Sequence, residues 1–291
     1  MKTKEFLEYL KKERNYSDYT ITSYSIDLKQ FEDFLNKIYE NEQNKEINAK
    51  IIRVWLMNLN ENGLSNRSID RKIASLRAYF KYIEKDDKDF INPMLKIIAP
   101  KPSKRKPVFI FEDDIQQLLN NKPNEDDFVS VRNYLIVEIF YATGMRRGEL
   151  LPLKHSDISF IHNEIKVFGK GRKERIIPIG EELVKDIIKY IDFKKRLTLR
   201  NDVFLVNKDN TKMSMGQLYC VVKKMLECIN IQKRSPHVFR HTCATHLLNE
   251  GADINNVKNL LGHTSLAATE VYTHTTIEEL KKEYKRSFPK K

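Results

Sequence analysis

Ile165-Lys-Val-Phe-Gly-Lys-Gly-Arg-Lys-Glu-Arg-Ile-Ile-Pro-Ile179 reads as a β-hairpin, set in a chain whose other patterned segments carry a helical period. Its β-rich runs, Ile165–Phe168 and Arg175–Ile179, flank Gly169-Lys-Gly-Arg-Lys173, and the glycines there permit a tight reversal. Asp157–Phe160 adds a candidate third strand. The fold class is therefore mainly α with one small antiparallel sheet.

On either side of the hairpin the helical period dominates. Phe111–Asn121 and Phe128–Thr143 precede it, the second strongly apolar, and helices are predicted after it at 181–197, 214–229, 237–249, 254–261, 265–272 and 277–286. Further upstream stands Ala99-Pro-Lys-Pro-Ser-Lys-Arg-Lys-Pro107, with three prolines and four cations in nine residues. Such a stretch neither continues a helix nor forms a core, so it is an extended linker able to lie along a phosphate backbone. It divides the chain into a helical domain (1–98), a basic Pro-rich linker (99–108) and a larger domain (109–291).

The first domain reads as four helices. A short amphipathic one lies around residues 4–13. Ile21, Tyr24, Leu28, Phe31, Leu35 and Ile38 follow an N-cap signal at Ser17 at three- and four-residue spacing. Ile51, Ile52, Trp55, Leu56 and Leu59 form the next stripe, stopped by Gly63 in a C′ role. Ser65 opens the fourth helix, with Ile69, Ile73, Leu76, Phe80 and Ile83 inward and Arg67, Arg71, Lys72, Arg77 and Lys81 at its other positions.

The net charge is +12, from 52 Lys/Arg against 40 Asp/Glu. Residues 1–107 hold 22 bases and 16 acids, and residues 108–291 hold 30 and 24, so the excess is not confined to a tail. Both halves suit a polyanion such as DNA, and a merely soluble basic protein fits the charge equally well. No run of about 18 apolar residues exists to span a membrane. The opening Met1-Lys-Thr-Lys-Glu-Phe-Leu-Glu8 has charge too early and no apolar core for a signal peptide. Cys220, Cys228 and Cys243 are sparse, odd in number and without metal spacing, as in a reduced cytoplasmic protein.

A handful of residues can carry chemistry. Lys170, between two glycines at the hairpin turn, is either a solvated turn lysine or a proton donor that enters a DNA groove. In Thr143-Gly-Met-Arg-Arg-Gly-Glu-Leu150 a long apolar helix ends at Gly144 and a short turn follows, with Arg146 at the junction. Arg146 there either presents its planar fork to a phosphate or forms a structural pair with Glu149, which can also accept from a backbone amide. His237 and Arg240 share a helix face at i, i+3, after Ser235 as N-cap and Pro236 at the first helical position, close to where a helix favours anions. His237 and His241 also stand at the i, i+4 spacing of a zinc pair, but Arg240 beside them would repel a cation. Helix 254–261 ends at Gly262, leaving His263 just outside, and Tyr272 follows nine residues later. With a pKa of about 10, roughly one tyrosine in a thousand is ionised at neutral pH, so Tyr272 is either packing or a nucleophile activated by a base and cations.

Taken in order and spacing, Arg146, Lys170, His237-x-x-Arg240, His263 and Tyr272 resemble the tyrosine recombinase (phage integrase) family, most closely its Xer-type members. The likeness extends through Ala142-Thr-Gly-Met-Arg-Arg-Gly-Glu-Leu150, Gly169-Lys-Gly-Arg-Lys-Glu-Arg175, Pro236-His-Val-Phe-Arg-His-Thr-Cys-Ala-Thr-His246, Leu260-Leu-Gly-His263 and Val271-Tyr-Thr-His274, and covers essentially the whole chain. It departs at Arg147 and Gly148, where Xer-like sequences more often have an aliphatic residue and a serine. It departs also at Thr22-Ser-Tyr-Ser-Ile-Asp27, which lacks the bases often found there.

The resemblance implies a four-helix, SAM-like core-binding domain and a mostly helical catalytic domain with a small sheet, which clamp DNA from opposite sides. It implies that Tyr272 attacks a phosphodiester to give a 3′-phosphotyrosine, Arg146 and Arg240 stabilise the phosphate, and Lys170 protonates the leaving 5′-oxygen. His237 then moves a proton with Tyr272, and His263 hydrogen-bonds the phosphate. No cofactor, metal or ATP is implied, because bond energy is kept in the phosphotyrosine. Arg67, Arg71, Lys72, Arg77, Lys104, Arg105, Lys106, Arg147 and Arg172 are the expected DNA contacts. The partners implied are a double-stranded recombination site and a homo- or hetero-tetramer on two duplexes, with a paralogous recombinase or a DNA translocase as regulator. Thr276–Lys291 resembles the family helix that docks on a neighbouring protomer. The expected location is the nucleoid in the cytoplasm.

Three readings compete: a site-specific recombinase, a type IB topoisomerase-like relaxing enzyme, and a silent DNA-binding relative. The complete set with Tyr272 argues against the third, and the N-terminal module with a docking helix favours the first over the second. The short build favours chromosome-dimer resolution over the integrase or transposase of a mobile element, since many of those carry an extra arm-binding domain.

Overall fold

The computed structural model describes residues 1–39, 47–87, 89–100, 108–169 and 174–262. The chain divides into two compact units, Met1–Arg105 and Lys106–Lys291. The expected helices at 265–272 and 277–286 lie outside the described residues. Among those residues no helix is long and apolar enough to cross a membrane.

The first unit is built from α1 (Thr3–Lys12), α2 (Asp18–Ile38), α3 (Ala49–Glu61) and α4 (Asn66–Asp86), followed by a 3₁₀ turn at Pro93–Lys96. Local chemistry sets the helix limits. Ser17 Oγ accepts the Thr20 amide, Asn48 Oδ1 accepts those of Lys50 and Ile51, and Ser65 Oγ accepts that of Ser68. Gly63, at φ +76°, reverses the chain after α3 so that the Leu64 amide returns to the Leu59 carbonyl at 3.1 Å. The apolar stripes meet in one core of Phe6, Leu28, Phe31, Ile52, Trp55, Ile73, Leu76 and Phe80. Ile38, expected inward, closes α2 and lies exposed.

Within that unit lies a buried ion pair. Asp27 on α2 is fully buried and accepts from Lys72 Nζ at 2.9 Å and from Arg71 Nη1. Lys72 donates also to Gln30 Oε1, and its ammonium stands 5.9 Å from the centre of the Trp55 ring. Lys72 was expected on the DNA-facing surface of α4, and the structure corrects this: the buried Asp27 carboxylate needs a counter-charge, and Lys72 turns inward to supply it. Arg71 keeps much of its side chain in solvent, Arg67 is exposed, and Arg77 donates to the Ile97 carbonyl at 2.8 Å.

The second unit contains α5 (Glu112–Asn120), α6 (Phe128–Thr143), α7 (Arg147–Leu150), β1 (Ile158–Ser159), β2 (Glu164–Phe168), β3 (Glu174–Pro178), α8 (Glu181–Arg196), α9 (Met215–Met225), α10 (Pro236–Asn249) and α11 (Ile254–Leu261). Twelve of the 16 residues of α6 are buried, which makes it the central helix, packed by α8, α9 and α10. The strands run antiparallel in the order β1-β2-β3, with Ile165 opposite Ile177 and Val167 opposite Arg175. Ile165, Val167, Arg175 and Ile177 face inward, so an arginine occupies one core position of an otherwise aliphatic face. Gly144 ends α6 in the left-handed region at φ +57°, and a Cβ there would fall 2.4 Å from Leu261 Cδ2. The backbone between α6 and α7 thus runs directly against α11.

Replacing Asp27 by Ala should strand the Lys72 ammonium and lower stability by roughly 3–5 kcal/mol. Urea unfolding followed by circular dichroism measures this, and Asp27→Leu combined with Lys72→Met should recover most of the loss.

Candidate active site

The last turn of α11 organises the site. Arg175 Nε on β3 donates to the Leu260 carbonyl at 2.8 Å, Arg240 Nη2 on α10 to the Leu261 carbonyl at 2.6 Å, and Arg146 Nη2 before α7 to the Gly262 carbonyl at 3.1 Å. Helix C-termini leave such carbonyls without partners and carry partial negative charge, so they attract cations. Gly262, in the left-handed region at φ +65°, closes α11, and a Cβ on it would stand 3.1 Å from Arg175 Nη1.

Among the described residues, Glu149 is the only carboxylate that the hydrogen bonds of these three arginines reach. It accepts from both Arg175 Nη1 and Nη2 at 2.8 Å, from Arg146 Nη1 at 3.0 Å and from the Arg146 amide at 2.8 Å. The two options open for Glu149 in the sequence are therefore both realised, with Arg175 as a third partner. Burial pushes its carboxyl up, but the hydrogen bonds from Arg175 and Arg146 outweigh that and hold it below the ordinary value. Among the described residues Arg240, by contrast, donates to carbonyls, Nη1 reaching Gly144 at 2.9 Å. Burial, then repulsion from Arg146 and Arg175, pushes it down to about 10, still protonated at neutral pH.

Arg146, Arg240 and Glu149 thus meet at one point, with the Arg146 side chain 38% exposed and the Arg240 residue nearly buried. His237 sits one turn before Arg240 but is exposed, so the two do not present side chains in the same way. Arg147 is half-buried close enough to lower the His237 pKa. Lys170, Arg172, His263 and Tyr272 lie outside the described residues, as do Lys104, Arg105 and Lys106. Arg175 was missed by the sequence reading. Its signal was the two-residue alternation that puts Arg175, Ile177 and Ile179 on one face of the strand.

The model of the phage integrase family matches residues 109–279, and that of the phage integrase N-terminal SAM-like domain matches residues 3–86. The chain belongs to the phage integrase family. The tyrosine recombinase XerC of Staphylococcus aureus (strain bovine RF122 / ET3-1) is 38% identical over 287 residues, spanning 98% of this chain and 95% of that protein. The chain is accordingly a Xer-type tyrosine site-specific recombinase. Two solved structures share its fold. XerH bound to a palindromic difH substrate in a post-cleavage complex has a TM-score of 0.73 at 24% identity, covering 96% of this chain and 83% of that one. A lambda integrase tetramer bound to a Holliday junction has a TM-score of 0.68 at 17% identity, covering 92% and 79%.

In this recombinase the His237 imidazole is held below its ordinary value by desolvation and then by the charges of Arg147, Lys233, His241 and Arg240. A lowered pKa leaves the ring neutral, and able to accept a proton, at neutral pH; it takes up that proton at a lower pH than an ordinary imidazole does. Arg147→Ala should raise the His237 pKa, a change that NMR titration of the imidazole reads directly. An unchanged or lowered value would exclude Arg147 as a cause.

Proposed function

We propose that this recombinase cuts and rejoins double-stranded DNA at a recombination site, with Tyr272 as nucleophile. His237 accepts the phenolic proton as the Tyr272 oxygen bonds to phosphorus. The bond from phosphorus to the 5′-oxygen breaks, its electron pair stays on that oxygen, and Lys170 supplies the proton that makes a 5′-hydroxyl. A 5′-hydroxyl from the partner strand reverses the steps and releases Tyr272. Arg146 and Arg240 stabilise the charge that grows on the non-bridging oxygens, and His263 adds a hydrogen bond to them.

The observation that carries this reading is the charge balance of the cluster. Arg146 and Arg175 share one carboxylate, Glu149, and Arg240 donates to neutral carbonyls, so among the described residues three guanidinium groups stand against a single negative charge. The excess of two positive charges suits the diester anion and the second negative charge that develops on it in the transition state. Arg240, held down to about 10, is still protonated at neutral pH, so the stabilisation it gives needs no proton transfer of its own.

The domain limits 1–98, 99–108 and 109–291 belong to the same proposal, with the first domain and the linker holding DNA. Arg67, Arg71 and Arg77 on α4, Lys104, Arg105 and Lys106 in the linker, and Arg147 and Arg172 are its proposed phosphate contacts. Strand exchange between two duplexes takes four protomers, consistent with the tetrameric lambda integrase. The near full-length likeness to XerC supports resolution of chromosome dimers, and action at the nucleoid with a paralogous recombinase or a DNA translocase belongs to the same proposal.

Incubation with nicked candidate-site DNA, followed by detergent and gel separation, should trap a covalent adduct at a 3′ end. It should form in EDTA, disappear in Tyr272→Phe, and form about 100-fold more slowly in Arg240→Ala. An adduct that survives Tyr272→Phe overturns the assignment, and a need for divalent metal overturns the mechanism.

A further inference from the structure

Glu149 poses a problem for a phosphate clamp. A carboxylate 3.0 Å from the Arg146 guanidinium competes with the phosphate for that guanidinium and repels it. Arg175 resolves the conflict. Its planar fork covers both oxygens of Glu149 at 2.8 Å, and its Nε anchors the same guanidinium to the Leu260 carbonyl at 2.8 Å. With Arg175 in place, Arg146 engages Glu149 through one side-chain nitrogen and gives its other terminal nitrogen to the Gly262 carbonyl. Arg175 is only 6% exposed and Glu149 equally buried, whereas the Arg146 side chain is open to solvent. Arg175 commits Nε, Nη1 and Nη2 alike to the Leu260 carbonyl and Glu149, so it is placed to hold the carboxylate rather than the phosphate.

We propose that Arg175 is a positioning residue that takes Glu149 out of competition with the scissile phosphate and so keeps Arg146 available to it. Glu149 is retained because its second oxygen accepts the Arg146 amide and fixes the turn that presents the guanidinium. Without Arg175, the buried carboxylate turns to the guanidinium from which it already accepts, and Arg146 closes on it. The clamp then loses charge at the phosphate without losing any residue that touches it. This inference rests on Arg146 being a phosphate ligand, as proposed above.

The test compares Arg175→Met, Glu149→Gln and the double variant in single-turnover cleavage of nicked DNA at saturating protein. Arg175→Met should slow cleavage on the order of 100-fold, the scale expected when a reacting group is misplaced, with DNA affinity little changed. The double variant should recover at least about tenfold, because Gln keeps an acceptor for the Arg146 amide but carries no charge. A double variant no faster than Arg175→Met overturns the proposal. Thermal unfolding of each variant guards against loss of fold, and Arg175→Lys, which keeps the charge with a single hydrogen-bonding head, should fall between wild type and Arg175→Met.

A second substrate separates this inference from the reading beneath it. A methylphosphonate at the scissile position removes one negative charge from the phosphate, so a variant deficient in cationic stabilisation should lose less activity on it. Arg146→Ala and Arg175→Met should both show the smaller penalty. If Arg146→Ala shows none of this relief, Arg146 is not the phosphate ligand. If Arg146→Ala shows it and Arg175→Met does not, Arg175 acts in some other way.

Discussion

Three successive peptide carbonyls at the end of α11, each held by an arginine from a different element, are the constraint on which the catalytic unit depends. Three guanidinium groups brought together in a largely buried space repel one another, and the lowered Arg240 pKa records that repulsion after desolvation. The helix end offsets it with fixed dipoles that need no counter-ion, and the arginines in turn satisfy carbonyls that would otherwise lack partners. The same contacts join β3, α10 and the segment before α7, which lie far apart in the chain. Close approach at Gly144 makes this geometry possible, because no side chain intervenes between the end of α6 and Leu261.

A carboxylate-free cluster would hold more positive charge, yet it would lose the hydrogen bond that fixes the Arg146 turn. Glu149 supplies that bond, and Arg175 limits its electrostatic cost at the phosphate. Division of labour between a charge that binds substrate and a charge that manages its neighbours follows from packing several ions where water cannot screen them. The Cys243 thiol beneath Gly144 is fully buried and its pKa is pushed up to about 12 by that burial, so it is packing rather than a reactive group here.

Much of this arrangement was legible in the sequence because its causes are local. Ser17, Ser65 and Gly63 act as caps through bonds to residues a few positions away, and the α6 apolar run announces a central helix. The hairpin was equally plain from its two β-rich runs. Partnerships across the fold were not. Nothing around Lys72 distinguishes it from Arg71 as a surface cation, since the decisive partner, Asp27, lies 45 positions away on another helix. His237 and Arg240 share a spacing that suggests a common direction, but the carbonyls of Gly144 and Leu261 draw Arg240 inward and leave His237 outside. Arg175 could have been placed by strand alternation, yet its role needed the position of Glu149.

The Asp27–Lys72 pair has a consequence for how the first unit assembles. Apolar contacts between α2 and α4 tolerate sliding, because Leu, Ile and Phe can repack against new neighbours at modest cost. An ammonium and a carboxylate sealed among them do not: a shift of one turn would leave each charge buried beside hydrocarbon. The pair therefore acts as an alignment key that admits one register of α4 against α2. Arg67 and Arg77 inherit that register, so where the cations of this helix stand relative to α2 is set from inside the core.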